Sequence, residues 1–199
     1  MMKSLLVLTL FCLAACGDAT RPDGGLFTQF SFDDPVGDTA VFGGSAGAFP
    51  ALDVRRVKGW VSADSLIFTV EFTNSVAPVS DGAVNSLAAT LGVDADNDPE
   101  TGFEALTDSF PNKANAGVEY WIFIPDLATS HDVEVESIVT GRSTGIFPAS
   151  YDSNAVTLRI PLTAIGVAPG ARFRIVGVVG TTQRSTDLIP DSASYELGS

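Results

Sequence analysis

Residues 93–103 read VDADNDPETGF and set Asp94, Asp96, Asp98 and Glu100 on alternate positions. Like charges this close repel, so a folded chain either spreads them into water or neutralises them. Where the backbone curls, Asp94, Asp96 and Asp98 can turn oxygens toward one centre, with Glu100 beside them. A hard cation taking about six to eight oxygen ligands suits such a set, and calcium is the cofactor it predicts. The alternative is a solvated turn, rich in Asp because Asx turns favour that residue. An EF-hand does not fit: Pro99 stands where the sharp-turn glycine belongs, and Ala105 where the bidentate Glu belongs.

Two further acidic turns carry the same chemistry. DDPVGD (33–38) offers Asp33, Asp34 and Asp38 as a second-choice ligand set, or as caps of a turn around Pro35 and Gly37. DLIPDS (187–192) offers Asp187 and Asp191 on the same terms. Nucleophilic chemistry is not supported. GGSAG (43–47) matches G-x-S-x-G around Ser45, but Pro50 follows too soon for the helix of a nucleophile elbow. The single histidine, His131, lies in the strand-like HDVEVE, so no catalytic residue is assigned. Nor can His131 make an ordinary zinc site without cysteines.

Aromatic residues supply the other recognition chemistry. In DVRRVKGWV (53–61), Val57 and Val61 share one strand parity, and Arg56, Lys58 and Trp60 the other. With Val57 in the core, Trp60 faces solvent beside two cations, where an indole stacks on a sugar ring or a cation; a Trp lying over a sheet edge is the alternative. Tyr120 and Tyr151 are weaker members of the same predicted ligand platform.

The chain begins MMKSLLVLTLFCLAACGD: one Lys at position 3, an apolar run from Leu5 to Ala15, then Cys16. That run is too short to span a bilayer and has the layout of a secretory signal peptide. Leu13-Ala14-Ala15-Cys16 resembles a bacterial lipobox, whose Cys is acylated before cleavage ahead of it. Gly17 after the Cys resembles an outer-membrane rather than an inner-membrane sorting signal. This predicts a signal peptide over 1–15, lipidated Cys16 and a Gly- and Pro-rich tether over 16–26, and one domain over 27–199. Cys12 and Cys16 are the only cysteines, so the exported domain is expected to hold together without a disulfide. Formal charge is −13, and loss of residues 1–15 removes Lys3 and no carboxylate, giving −14. Such acidity disfavours nucleic acid and anionic lipid as partners, favours cations, and leaves membrane attachment to the lipid.

From Phe27 onward the pattern has period two. Leu66, Phe68, Val70 and Phe72 alternate with Ile67, Thr69, Glu71 and Thr73. Similar alternation runs through Leu87–Val93, Val133–Val135, Val156–Ile160 and Phe173–Val179. EYWIFI (119–124), apolar on both faces, predicts a central, doubly buried strand. Turns fall at DDPVGD, SADS (62–65), NSVAPVSDG (74–82) and YDSN (151–154), and PLTAIG (161–166) is the one helix candidate. Together these predict an all-β protein, an antiparallel β-sandwich of immunoglobulin- or jelly-roll-like type.

The order DDPVGD, VEF, LGVDADNDPETG, VEYWIFI, VTLRIPLTAIG, RIVGVV and DLIPDS resembles bacterial β-sandwich domains related to family 9 carbohydrate-binding modules and DOMON-like domains. It covers most of residues 27–193. The acidic loop is similar to the DxDxNPxTG segments of that group, with Asn97 and Asp98 exchanged. The resemblance implies a sandwich fold; domains of that group bind sugars or haem, or have no identified ligand, and several carry structural calcium. The expected function is thus a lipid-anchored, exported binding module with carbohydrate as leading ligand. The alternatives are a structural or adhesion protein of the envelope that binds another protein, and a glycoside-active enzyme using paired carboxylates. Cys16→Ala should accumulate unprocessed precursor with no acyl label; an Ala variant that is still acylated would refute the lipobox reading.

Overall fold

The computed structural model describes residues 28–39, 50–104, 116–125, 128–191 and 193–198. Cys16, the signal segment, the tether and the GGSAG stretch with Ser45 lie outside the described residues. In chain order the strands are β1 (Thr28–Asp33), β2 (Val54–Val61), β3 (Ser65–Phe72), β4 (Leu87–Asp94), β5 (Phe103–Glu104), β6 (Gly117–Val118) and β7 (Tyr120–Ile124). They continue as β8 (Val133–Ser137), β9 (Arg142–Phe147), β10 (Ala149–Asp152), β11 (Ala155–Pro161), β12 (Phe173–Thr181), β13 (Arg184–Ile189) and β14 (Tyr195–Leu197).

Two large antiparallel sheets result, ordered β1-β2-β3-β11-β10 and β13-β12-β4-β7-β8-β9, with β14 also pairing with β12, and β5 and β6 form a separate two-stranded ribbon. Alternate side chains of a strand share a face, so each sheet offers one apolar face and the two pack together. Leu66, Phe68, Val70 and Phe72 of β3 meet Leu87, Leu91 and Val93 of β4, Leu158 and Ile160 of β11, and Phe173 and Ile175 of β12 in one buried cluster. The expected antiparallel β-sandwich is therefore present. PLTAIG makes a 3-10 turn over Leu162–Ile165 that buries Leu162, Ala164 and Ile165 against the core.

β7 is central, between β4 and β8, but buried on one face only. Ile122 and Ile124 enter the core, whereas Trp121 and Phe123 are half-buried on the outside. Among the described residues only the β5–β6 ribbon packs on this outer face, beside Trp121, so the second apolar face of EYWIFI stays partly at the surface. β9 (RSTGIF) and β13 (RSTDLI) escape a pattern search because edge strands carry polar side chains and weak alternation.

The sheets are stitched at one edge. The backbone N–H of Leu52 donates to Thr186 Oγ1 at 3.1 Å, and that hydroxyl donates to the Leu52 carbonyl at 2.7 Å. Next to it, Val54 N–H donates to Asp187 Oδ2 at 2.6 Å. On the outer face of the first sheet, the register sets Asp33, Arg56 and Glu71 side by side across β1, β2 and β3.

Phe68 is buried between both sheets, and its truncation to Ala should cost about 3–5 kcal/mol in urea unfolding. Trp60→Ala, on the outer face of β2, should cost much less; equal losses would mean that the indole packs as a core residue.

Candidate functional site

Strand register assembles the first acidic cluster. Val93 of β4 lies opposite Tyr120 of β7, and Glu119 N–H donates to the Val93 carbonyl at 3.0 Å. Glu119 is thereby brought beside Asp94, which pairs on its other side with Arg174 of β12. One carboxylate oxygen each from Asp94, Asp96 and Glu119 lies within 4.8 Å of the others. The loop curls because Asp98 N–H donates to both Asp94 Oδ1 and Asp96 Oδ1 at 3.0 Å. Thr101 Oγ1 donates to Asp96 Oδ2 at 3.0 Å, and Ala95 N–H to Glu119 Oε2 at 2.8 Å. Two glycines permit this close approach. A Cβ at Gly117 would lie 2.0 Å from the Thr101 carbonyl oxygen, and one at Gly102, where φ is +66°, would lie 2.3 Å from Glu119 Oε1.

Of the four loop carboxylates expected as ligands, Asp94 and Asp96 converge. Asp98 and Glu100 are exposed and outside the cluster, and Asp98 Oδ1 accepts the Glu100 N–H at 3.0 Å. Glu119 takes their place; its only sequence signal is a lone carboxylate at the head of an apolar strand. Burial pushes the Asp94 carboxyl up, opposed by the Arg174 guanidinium, which stands 3.5 Å from Oδ2. Burial also pushes Glu119 up. Three carboxylates around one centre with a single guanidinium form an oxygen-only set that a hard cation would complete.

A second cluster joins the other two acidic turns. Asp34 and Asp38 after β1 meet Asp187 of β13 and Asp191 beyond it, again with one oxygen of each within 4.8 Å. Asp33, by contrast, is exposed and ion-paired to Arg56 at 2.6 Å. Burial, then the neighbouring carboxylates, raises Asp34 to about 8. Burial likewise raises Asp187 to about 7 and Asp191 to about 6.

The outer face of the second sheet carries a groove of about 500 Å³. Ala88, Thr90, Val178 and Phe123 line it, with Glu134 and Glu136 of β8 and with Thr182 and Ser185 from the β12–β13 hairpin. Trp121 precedes Phe123 on the same face and meets Phe103 edge-on, with ring centroids 6.1 Å apart; Phe103 is 54% exposed. Phe103, Trp121 and Phe123 thus form an aromatic strip beside the groove.

The three aromatics expected to form a platform are not brought together. Trp60 is half-buried on the outer face of β2 with Lys58 and Arg56, while Val57 and Val61 enter the core. Tyr120 and Tyr151 face inward on different sheets and pack against the core. Tyr151 also meets the half-exposed His131 edge-on at 5.6 Å.

No protein-family model, curated protein or solved structure matches the chain.

In the metal-free protein, Asp34 and Asp187 hold protons that the unfolded chain, with its carboxyls near 3.8, has released. Stability contributed by these groups is present at low pH and lost as pH rises through their folded values. Glu71, held low by Lys58, acts only below this window. In excess chelator the melting temperature should therefore fall between about pH 5 and pH 8, and Asp34→Asn should flatten the slope. A rise over that range would show that the carboxylates are ionised and favourably paired.

Proposed function

We propose that this protein is a calcium-stabilised binding module of the cell envelope, held to the membrane through lipid on Cys16, with carbohydrate as its ligand class. The observation that carries this reading is the strip of Phe103, Trp121 and Phe123 beside the groove on the second sheet. Sugar rings present C–H faces that stack on aromatic side chains, and hydroxyls that need polar partners. Thr182, Ser185, Glu134 and Glu136 line the same groove and offer such partners. Bound calcium has a defined part here. Asp94, Asp96 and Glu119 bracket the loop that ends at Phe103, and Glu119 lies two residues before Trp121. A cation bound among them would tie the two rings in place.

Binding is favoured over glycoside cleavage on geometric grounds. Glu134 and Glu136 project from one strand, on one wall of the groove. Hydrolysis by paired carboxylates needs them on opposite flanks of the scissile bond. A protein partner would instead use the outer face of the first sheet, where Trp60, Lys58 and Arg56 stand.

A glycan array probed with the full chain, in calcium and in chelator, tests the reading. Phe103→Ala, at an exposed position, should fold normally and weaken glycan binding about tenfold, equivalent to roughly 1.4 kcal/mol. Trp60→Ala should leave binding unchanged. The opposite pattern would move the site to the first sheet, and a wild type that holds no glycan would end the carbohydrate reading.

A further inference from the structure

The geometry points to a second cation site, for an ion of calcium's size and hardness, at the corner where the turn after β1 meets the end of β13. Its ligands are Asp34, Asp38, Asp187 and Asp191, and it shares no residue with the cluster of Asp94, Asp96 and Glu119. The four oxygens lie within 4.8 Å of one another. All four ligands are carboxylate oxygens supplied by two turns, a set that suits calcium, which takes about six to eight oxygens in flexible geometry, better than magnesium, which demands a near-ideal octahedron.

A group of acids alone would not suffice, because exposed carboxylates gather without metal. The added observation is Asp34 itself. It is 7% exposed, and its Oδ2 is buried with no hydrogen-bond partner among the described residues. Among the described residues its Oδ1 receives a long hydrogen bond, 3.4 Å, from the Tyr195 hydroxyl. Ionised, Asp34 would hold that oxygen out of water and unpaired, at a cost, and the carboxyl groups gathered with it, Asp187, Asp191 and Asp38, would carry its own sign. A divalent cation supplies what both the oxygen and the neighbours lack.

The frame of the site is set without metal. Asp53 accepts the Gly37 N–H at 3.2 Å, which holds the turn between Asp34 and Asp38. Asp187 is oriented by N–H donors from Val54 at 2.6 Å and Leu188 at 2.9 Å. Each half of the ligand set is therefore anchored to a different sheet. A cation between them clasps the sandwich along the edge where Leu52 and Thr186 already join it.

Calorimetric titration with calcium alone, on the chelator-stripped full chain, tests the site. Asp96→Asn should keep one binding event, and Asp38→Asn, an exposed substitution, should weaken that event about tenfold or more. Melting curves give an independent sign. Asp38→Asn should melt higher than wild type in chelator, because repulsion is relieved, and lower than wild type in saturating calcium, because a ligand is lost. Magnesium should bind the corner more weakly. Retention of this event when the Asp94 cluster binds nothing would refute the calcium role proposed above while upholding the corner site. Loss of all calcium binding in Asp96→Asn, or equal calcium affinity and equal calcium-induced melting shifts in wild type and Asp38→Asn, would overturn the corner site; magnesium binding as tightly as calcium would overturn its assignment to an ion of calcium's size.

Discussion

Hydrogen bonds from Leu52 and Val54 to Thr186 and Asp187 join the two sheets where the chain enters β2. The buried core between the layers is held by non-directional apolar packing, which by itself tolerates sliding of one sheet over the other. These bonds are directional and buried, so they fix the relative position of the sheets at that edge. They also carry Asp187 to the place where the turn after β1 delivers Asp34. The stitch that locks the sandwich thus gathers Asp34, Asp38, Asp187 and Asp191 at one corner.

The acidic character of the chain is consequently organised rather than diffuse. On the outer face of the first sheet, Glu71 is balanced by Lys58 and Arg55, and Asp33 by Arg56. At the two cluster positions the balance is incomplete. Among the described residues, Arg174 is the cation paired with this cluster of Asp94, Asp96 and Glu119, and Asp34 is surrounded by further carboxylates. Burial raises the pKa of the inner members in each case, the expected response of a carboxyl that has lost water without gaining a countercharge. Cations bound at the two clusters, as proposed above, would restore that balance.

The groove and the first cluster belong to one surface. The loop bearing Asp96 returns through Phe103 to the short β5–β6 ribbon, and that ribbon packs Val118 beside Trp121 on the outside of the second sheet. Ordering of the loop and presentation of the rings are therefore mechanically linked. The groove itself exists because Ala88, Thr90 and Val178 are small, leaving Phe123 accessible beside the longer side chains of Glu134 and Glu136.

Much of the architecture was legible in the chain because side-chain alternation is a local property. The strands of Leu66–Phe72, Leu87–Val93, Val156–Ile160 and Phe173–Val179 follow from period two, as does the opposed parity of Trp60 and Val57. The same pattern could not say which strands pair, and the sites depend on pairing. Glu119 joins Asp94 through the β4–β7 register, and the hydrogen bond that Glu119 accepts from Ala95 spans 24 residues of sequence. Asp34 and Asp187 meet only because opposite ends of the domain close on one edge. EYWIFI reads as buried on both faces since hydropathy reports what a residue can bury, not whether a layer arrives to cover it. Local sequence determined which faces are apolar and where carboxylates are dense; tertiary structure decided which carboxylates share a centre and which aromatics meet solvent, because both are set by contacts between residues far apart in the chain.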